Sequence, residues 1–462
     1  MLCRVLCVMV FAGLTVERPI ESEPLLYLSY WRSPFRVFGP LFVSLPGLNL
    51  WAWQVLLFVM APLCLFRPGA FSRRARVMDA AIFFSLACTA VTFAWGLLRG
   101  GSAYQSYYQL WRFLTALLLA LLLLSVVRSS RDLKVIGLTI LAASLVRATL
   151  AIYFYWFHVH GRIVPPPPHM TSHDDSLLFM AGLVVVASWV VVQGRTRAWL
   201  TAVSAAPVLF YAMVLNNRRL VWIELVLALV VLYLLLPPGR WRRHLTLALP
   251  LVAPVVLAYL FVGANRPGAF FAPARALSTA GSNQDNSSLA RQEEIRNLLY
   301  TLSADGNPVL GTGWGRPYLK VTSVYANFGP EWTQYLYQPH NSLLGVAVFA
   351  GLVGIGGIWL VVPVAAFLAT RGYRDSTGAI NRTAALAAVC ILPPYSAQCF
   401  GDIGFQSFTC NLILGVAMGV AGKVSAWAAA YPAPDRRKRA LARRPRATSS
   451  MDEEPTLDLQ AT

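Results

Sequence analysis

A succession of apolar stretches along the chain constrains its fold more than any other feature of the sequence. A helix needs about 20 apolar residues to cross the hydrocarbon core of a bilayer. About twelve stretches of the 462-residue chain meet or approach this length. They lie at residues 2–16, 50–66, 77–98, 111–127, 135–157, 177–193, 198–215, 220–236, 245–263, 341–368, 384–398 and 404–422. The sequence therefore predicts an all-α polytopic membrane protein with about 12 transmembrane helices.

The composition agrees with this class of protein. Only 13% of the residues are charged and 57% are hydrophobic, whereas about 25% of the residues of a soluble protein are charged. The formal net charge of +19 would suggest nucleic acid as the partner of a soluble protein. In a membrane protein it reflects the arginines and lysines of cytoplasmic loops. We therefore expect membrane lipids, and no nucleic acid, as partners.

The distribution of arginine and lysine predicts the orientation. Alternate loops are basic, and assigning them to the cytoplasm places both termini inside. One long loop, between helices 9 and 10, then lies outside. The chain divides into residues 1–263 with helices 1–9, the loop 264–340, residues 341–422 with helices 10–12, and the basic tail 423–462. We expect the tail to be disordered and to lie near anionic lipids.

The long external loop contains two recognisable patterns. The stretch "SSLARQEEIRNLLYTLSADG" predicts an amphipathic helix that begins after Ser287 and Ser288 and ends before Gly306. The stretch "NPVLGTGWGRPY" follows it at residues 307–318. Its glycines neither follow a strand nor open a βαβ unit, so they do not form a dinucleotide-binding loop. We expect this turn to pack closely on the membrane domain.

Several arginines lie on the external side, against the general trend. Arg218 and Arg219 begin the eighth apolar stretch, and Arg291 and Arg296 lie on the predicted loop helix. A guanidinium group binds phosphate oxygens in a bidentate manner. The cluster therefore predicts a phosphate-bearing lipid substrate, although Arg218 and Arg219 could instead be interface anchors.

Two ionisable residues fall inside apolar stretches, Arg147 in the fifth and Glu224 in the eighth. Such groups are costly at membrane depth and usually face a polar cavity or pair with each other. We consider structural pairing, extension of the side chain to the membrane interface, and substrate contact as alternatives for both.

His340 immediately precedes the tenth apolar stretch, in "QPHNSLLGVAVFAGLVGIGG". Its side chain titrates near neutral pH and can accept a proton, so it is the candidate catalytic base. The alternative is an ordinary helix start, with Asn341 or Ser342 as the cap.

The external segment "HVHGRIVPPPPHMTSHDD" holds four histidines together with Asp174 and Asp175. These side chains could bind zinc or copper, but their spacing fits no structural zinc pattern. We favour a solvated connector without a metal, with substrate contact by Asp174 or Asp175 as a further alternative. The seven cysteines contain no CxxC pair, and we interpret them as buried thiols.

Three stretches together resemble the O-antigen ligase and O-antigen polymerase family. They are "NNRRLVWIELVLALVV", "SSLARQEEIRNLLYTLSADGNPVLGTGWG" and "PHNSLLGVAVFAGLVGIGGI", and they cover residues 216–358. The rest of the chain is similar only in hydropathy and helix count.

The resemblance implies a glycosyltransferase on the periplasmic face of the bacterial inner membrane. Such enzymes transfer a glycan from a polyprenyl (undecaprenyl) diphosphate lipid to an acceptor hydroxyl, without a metal or other cofactor. By motif, the essential arginine before the loop falls on Arg218 or Arg219, that of the loop helix on Arg291 with Arg296 second, and the histidine on His340. Other polysaccharide-assembly proteins would be further partners.

The resemblance leaves several activities open. We favour polymerisation of O-antigen or exopolysaccharide repeat units, because bacteria often have several polysaccharide pathways. Ligation of a finished glycan to lipid A-core and protein O-glycosylation are alternatives. A different class is a transporter or flippase of lipid-linked glycans, since twelve helices with both ends inside also suit a carrier.

Overall fold

The structure is a computed structural model that describes residues 1–16, 43–45, 48–50, 52–66, 76–163, 169–266, 271–278, 286–323 and 335–428. The predicted disordered tail lies outside the described residues from residue 429 onward. Within these ranges the chain is helical, apart from turns and one antiparallel hairpin. The hairpin pairs β1 (Val43–Leu45) with β2 (Leu48–Leu50).

The α-helices of the described residues are α1 (Leu2–Val16), α2 (Ala52–Leu65), α3 (Arg76–Leu98), α4 (Ala103–Val126), α5 (Ser130–Phe154), α6 (Asp174–Gln193), α7 (Thr196–Asn216), α8 (Arg219–Leu235), α9 (Arg240–Gly263), α10 (Ala272–Ser278), α11 (Asn286–Ala304), α12 (Ser342–Val353), α13 (Val361–Asp375), α14 (Ala379–Gly401) and α15 (Phe408–Trp427). Two π-helical turns extend them, Tyr155–Val159 after α5 and Gly354–Ile358 after α12. Gly404–Gln406 forms a 3₁₀ turn before α15.

Each predicted apolar stretch overlaps one of these helices or, for residues 341–368, the pair α12 and α13. Nine helical stretches in the described residues are long and apolar enough to cross a membrane. The helices α1, α2 and α8 also coincide with predicted stretches but are shorter. The helical, multi-pass class of the prediction is therefore confirmed, while the number of spans and their orientation stay predictions.

The core forms around α15, which packs against α4, α13 and α14 and is buried along nearly its whole length. Gly415 and Gly419 allow this close approach, because a Cβ atom at either position would meet α4 within 2.8 Å. Lys423 is also buried and donates to the carbonyl of Leu124 at 2.8 Å, which satisfies a terminal acceptor of α4. In contrast, α9 lies at the periphery.

The glycine-rich turn after α11 packs into a break in the tenth predicted span. This helix is interrupted at Gly351, where φ is 58°. The amide of Thr312 donates to the Val348 carbonyl at 2.8 Å, and the amide of Leu352 donates to the Pro308 carbonyl at 3.0 Å. The buried Trp314 donates from Nε1 to Thr92 Oγ1 at 2.9 Å. The predicted close packing is present, but the uninterrupted helix over 341–368 was wrong, because the turn satisfies backbone groups around the break.

Helix boundaries bring polar groups to one end of the bundle. Asn217 adopts a left-handed conformation with φ of 50°, which ends α7, and α8 begins two residues later. At the same end α6 begins, α14 ends and α12 begins, the last with Asn341 Oδ1 accepting from the Leu344 amide at 3.0 Å. Ser342 Oγ ties α12 to α14 by donating to the Cys399 carbonyl at 3.0 Å. The loop helix α11 lies beside these ends.

Candidate functional site

The predicted base, His340, forms a pair with a carboxylate of the loop helix α11. His340 Nδ1 lies 3.0 Å from Glu294 Oε2, and the His340 backbone amide donates to Glu294 Oε1 at 2.6 Å. The Tyr335 ring stacks on the imidazole, with 5.0 Å between centroids and 6° between planes. Because an ionised carboxylate only accepts, the proton of the neutral imidazole lies on Nδ1. Nε2 is then the basic atom of the ring.

The electrostatic surroundings adjust the basicity of His340, which lies outside the membrane-spanning segments. Burial lowers the pKa of His340, but the hydrogen bond and charge of Glu294, together with Asp402, outweigh it. The pKa is therefore raised above its ordinary value. Arg291, one turn before Glu294 on α11, opposes the increase with its positive charge. Arg291 is thus close enough to act on the imidazole.

The arginines at the start of α8 lie beside the same loop helix. Arg219 donates from Nη1 to Ser288 Oγ at 3.2 Å, and Ser288 lies one turn before Arg291 on α11. The predicted helix is therefore present, but it begins at Asn286, so Ser287 and Ser288 lie inside it rather than cap it. The side chain of Ser288 instead contacts a candidate phosphate-binding arginine.

Arg218 is adjacent to His169 of the histidine-rich segment. Burial, followed by the charge of Arg218, lowers the pKa of His169 to about 3. His169 is therefore neutral at physiological pH. Its Nδ1 lies 3.1 Å from the Asn216 carbonyl and donates to it in the corresponding tautomer. Arg218 and Arg219 thus both lie at this end of the bundle, where the positive charge of each acts on His169.

A second histidine–carboxylate pair, His173 with Asp402, lies at the start of α6 and the end of α14. His173, just before α6, places Nδ1 within hydrogen-bonding distance of Oδ2 of Asp402, the residue that follows α14. Burial raises the pKa of Asp402. The charge and hydrogen bond of His173, with the charges of Arg291 and His340, have a larger opposite effect, so the pKa lies well below its ordinary value. Asp402 is therefore an anion that lies between the two histidines.

Buried polar groups surround these pairs. Glu224 of α8 is fully buried, and Asp402 and Asp174 are its carboxylate neighbours. In the described part of the chain, neither carboxylate oxygen of Glu224 and neither side-chain polar atom of Gln398 has a hydrogen-bond partner. Gln398 lies one turn before Asp402. Buried groups of this kind are normally satisfied by a ligand or by water.

The two carboxylates at the start of α6 differ in their environments. Asp175 binds Arg147 in a buried bidentate pair, with Nε to Oδ1 at 2.9 Å and Nη2 to Oδ2 at 2.7 Å. This geometry is the structural pairing considered for Arg147, and it fixes α5 to α6. Asp174 instead accepts a weak bond from Cys410 Sγ at 3.8 Å and interacts with Asp402. Asp174 is therefore the one of the two that borders the site.

Arg296, the second candidate on the loop helix, is exposed. Glu294 and Arg291 occupy the side of α11 that meets His340, whereas Arg296 lies on another side. We therefore keep Arg291 and not Arg296 among the residues that the structure brings together.

The histidine-rich segment does not gather its side chains at one point. His158 stacks on Phe154, and His160 contacts Trp156 with the two rings tilted by 59°. His169 and His173 belong to the site described above. Among the residues that the structure describes, no group of three or more histidine, cysteine, aspartate or glutamate side chains could hold a metal ion. All seven cysteines are buried free thiols.

Four contributors to the site escaped the sequence prediction as functional residues, namely Glu294, Asp402, Tyr335 and Gln398. Glu294 follows Arg291 by three residues, a spacing that places both on one face of a helix. This spacing could have identified Glu294 from the sequence. Asp402 is an acidic residue in the short loop between the last two predicted spans, which the predicted orientation places outside. Tyr335 has no comparable signal.

Residues 203–359 match the family described as O-antigen ligase. The match covers roughly a third of the 462-residue chain. It includes Arg218, Arg219, Glu224, Arg291 and His340, and leaves the α6 and α14 residues of the site outside. No match to the chain is found among curated proteins. The resemblance to the O-antigen ligase and polymerase family is confirmed for this segment.

Proposed function

We propose that this chain, which carries the O-antigen ligase match at residues 203–359, is a glycosyltransferase of the O-antigen ligase and polymerase type. It moves a glycan from a polyprenyl diphosphate lipid to an acceptor hydroxyl on the periplasmic face of the bacterial inner membrane. The observation that carries this proposal is the grouping of Arg219, Arg291 and the His340–Glu294 pair at one end of the helical bundle.

The arginines are the proposed diphosphate-binding groups. A diphosphate is a good leaving group, so the enzyme must mainly orient it and neutralise the charge that develops as the glycosidic bond breaks. Arg219 contacts Ser288 from α8, and Arg291 follows Ser288 by one turn on the loop helix. Both can direct planar donor groups at the phosphate oxygens. The arginines supply the positive charge at this point.

His340 is the proposed general base. Its Nε2 accepts the proton of the acceptor hydroxyl while the hydroxyl oxygen attacks the anomeric carbon, and the bond to the diphosphate oxygen breaks. Direct attack inverts the anomeric configuration. Glu294 holds the ring by Nδ1 and stabilises the imidazolium that forms. The unpartnered polar atoms of Glu224 and Gln398 are suitable contacts for sugar hydroxyls.

The test uses the full-length protein reconstituted in lipid with an undecaprenyl-diphosphate-linked glycan and no nucleotide or ion gradient. We expect the glycan to be lengthened or transferred, and His340→Ala to lower the rate by about 10²–10⁴-fold. Arg296→Ala, on the exposed side of α11, is the control that should keep most of the rate. Near-normal turnover by a well-folded His340→Ala variant would exclude the base assignment, and translocation without transfer would indicate a transporter.

Two acceptors are compatible with the proposed reaction. We favour polymerisation, in which a second lipid-linked glycan is the acceptor, whereas the description of the matched family favours ligation to lipid A-core. The products distinguish them. A polymerase forms longer lipid-linked chains from the donor alone, and a ligase forms no product until lipid A-core is added. Transfer to a serine or threonine peptide would indicate a protein O-glycosyltransferase.

A further inference from the structure

A separate groove lies at the end of the bundle opposite to the candidate site. It has a volume of about 200 Å³ and is lined by α5, α6, α14 and α15. The candidate site is near the first residue of α6 and the end of α14, whereas the groove is bordered by the last turns of α6 and the first half of α14. A 20-residue helix such as α6 is about 30 Å long, so the two regions are well separated.

The walls and the rim of the groove differ in chemistry. The walls are apolar and include Ile140, Val185, Ala384, Ile413 and Val416. Lys134 and Arg195, both exposed, lie at the rim, where Gln193 and Thr383 add hydrogen-bonding groups. In the described part of the chain, the lining contains these two cations and no carboxylate.

The position of the cations agrees with the predicted orientation. Lys134 lies in the second turn of α5 and Arg195 lies two residues after α6, at the end of the bundle that carries the basic loops. This end is predicted to be cytoplasmic, where the bilayer surface is rich in anionic lipids. Trp189 also lines the groove, one turn before the end of α6, a position typical of aromatic residues at the membrane interface.

We propose that this groove binds one anionic glycerophospholipid of the inner leaflet. An acyl chain lies between the apolar walls, and the phosphate contacts Lys134 and Arg195. The charge complementarity at the rim favours an anionic over a zwitterionic headgroup. The lipid contacts α5 and α6 on one side and α14 and α15 on the other. Because the lipid binds only the folded protein, its binding stabilises the fold. This proposal does not depend on the proposed glycosyl transfer.

The experiment is a titration of the delipidated full-length protein in detergent, followed by native mass spectrometry. Phosphatidylglycerol, phosphatidylcholine and undecaprenyl phosphate are the three probes. We expect one phosphatidylglycerol to be retained in preference to phosphatidylcholine. Lys134→Ala combined with Arg195→Ala should weaken its binding by roughly 30-fold, since each cation near an anionic surface contributes about fivefold.

Two matched controls separate the groove from general effects. Arg197→Ala with Arg243→Ala removes two exposed cations from the same end of the bundle but outside the groove, and should leave binding unchanged. Ala384→Phe fills the groove and should abolish retention, whereas Ala258→Phe on the exposed α9 should not. Equal retention of the two phospholipids, no effect of the groove variants, or preferential binding of undecaprenyl phosphate would each overturn the proposal.

Discussion

Glu294 controls two properties of the His340 side chain, the orientation of the ring and its pKa. The carboxylate contacts both the backbone amide and Nδ1 of His340. Only the neutral imidazole can accept a proton, so the rate should increase as the pH rises through the pKa of His340. Glu294 raises this pKa and therefore places the acidic limb of the rate profile at a higher pH than the imidazole alone would give.

The variant Glu294→Gln tests this coupling. Because the negative charge is lost, the pKa of His340 should fall, and the acidic limb of kcat/KM should shift to lower pH. The plateau should decrease by about tenfold or more, because the amide no longer fixes the tautomer or stabilises the imidazolium. The adjacent buried carboxylate in Glu293→Gln is the control and should leave the limb in place. An unchanged limb and plateau in Glu294→Gln would show that the pair is only structural.

The loop helix also offers a matched pair of arginines. Arg291 acts on His340 and Asp402, whereas Arg296 is exposed on the same helix. Arg291→Lys keeps the charge but removes the planar donor fork, and we expect kcat/KM to fall roughly 100-fold. Arg296→Lys should have little effect. Initial rates measured at several donor concentrations give kcat/KM for each variant. Equal values for the two variants would contradict bidentate diphosphate binding by Arg291.

At the scale of elements, the glycine-rich turn 307–315 connects the loop helix to the membrane helices. Its glycines at 311, 313 and 315 all have positive φ angles, and the turn hydrogen-bonds to the break at Gly351. Arg99 and Arg316 both form ion pairs with Asp305, at the end of α11. The turn thereby fixes the position from which α11 presents Arg291 and Glu294.

Gly313→Ala should destabilise this connection for two reasons. The φ angle of 93° is unfavourable for alanine, and a Cβ atom would lie 2.3 Å from the Cα atom of Gly96. We expect a loss of at least about 2 kcal/mol in the free energy of unfolding. Gly100→Ala has a similar φ of 81° but open space around its Cβ position, so it should cost only about 1 kcal/mol. Thermal unfolding in detergent measures the stability of both variants. Equal losses of stability would show that the backbone conformation, and not the contact with Gly96, determines the effect.

At the scale of the whole molecule, hydropathy predicted the helical class, and motif resemblance predicted Arg218 or Arg219, together with Arg291 and His340, as site residues. Pairing between distant residues could not be predicted in the same way. The partner of Arg147 is Asp175, and that of His340 is Glu294, because α5 packs on α6 and α11 lies beside the start of α12. The interruption at Gly351 also escaped prediction, since the helix depends on backbone bonds from residues 308–313, far away in the sequence.

The orientation of the bundle decides whether the site faces the periplasm, and single cysteines can determine it. Arg162 and Thr196 are both exposed and flank α6, the first at the end of the bundle that holds the candidate site and the second at the end that holds the groove. Arg162→Cys should react with a membrane-impermeant maleimide in intact spheroplasts. Thr196→Cys should react only after the membrane is opened.

The seven native cysteines are buried and therefore give little background labelling. The reverse labelling pattern would place His340 and the arginines in the cytoplasm, away from the face to which polymerases and ligases of this type deliver their glycans. That result would exclude the proposed reaction even if the helical fold were correct. The predicted pattern would instead place the basic groove at the inner leaflet, as the lipid proposal requires.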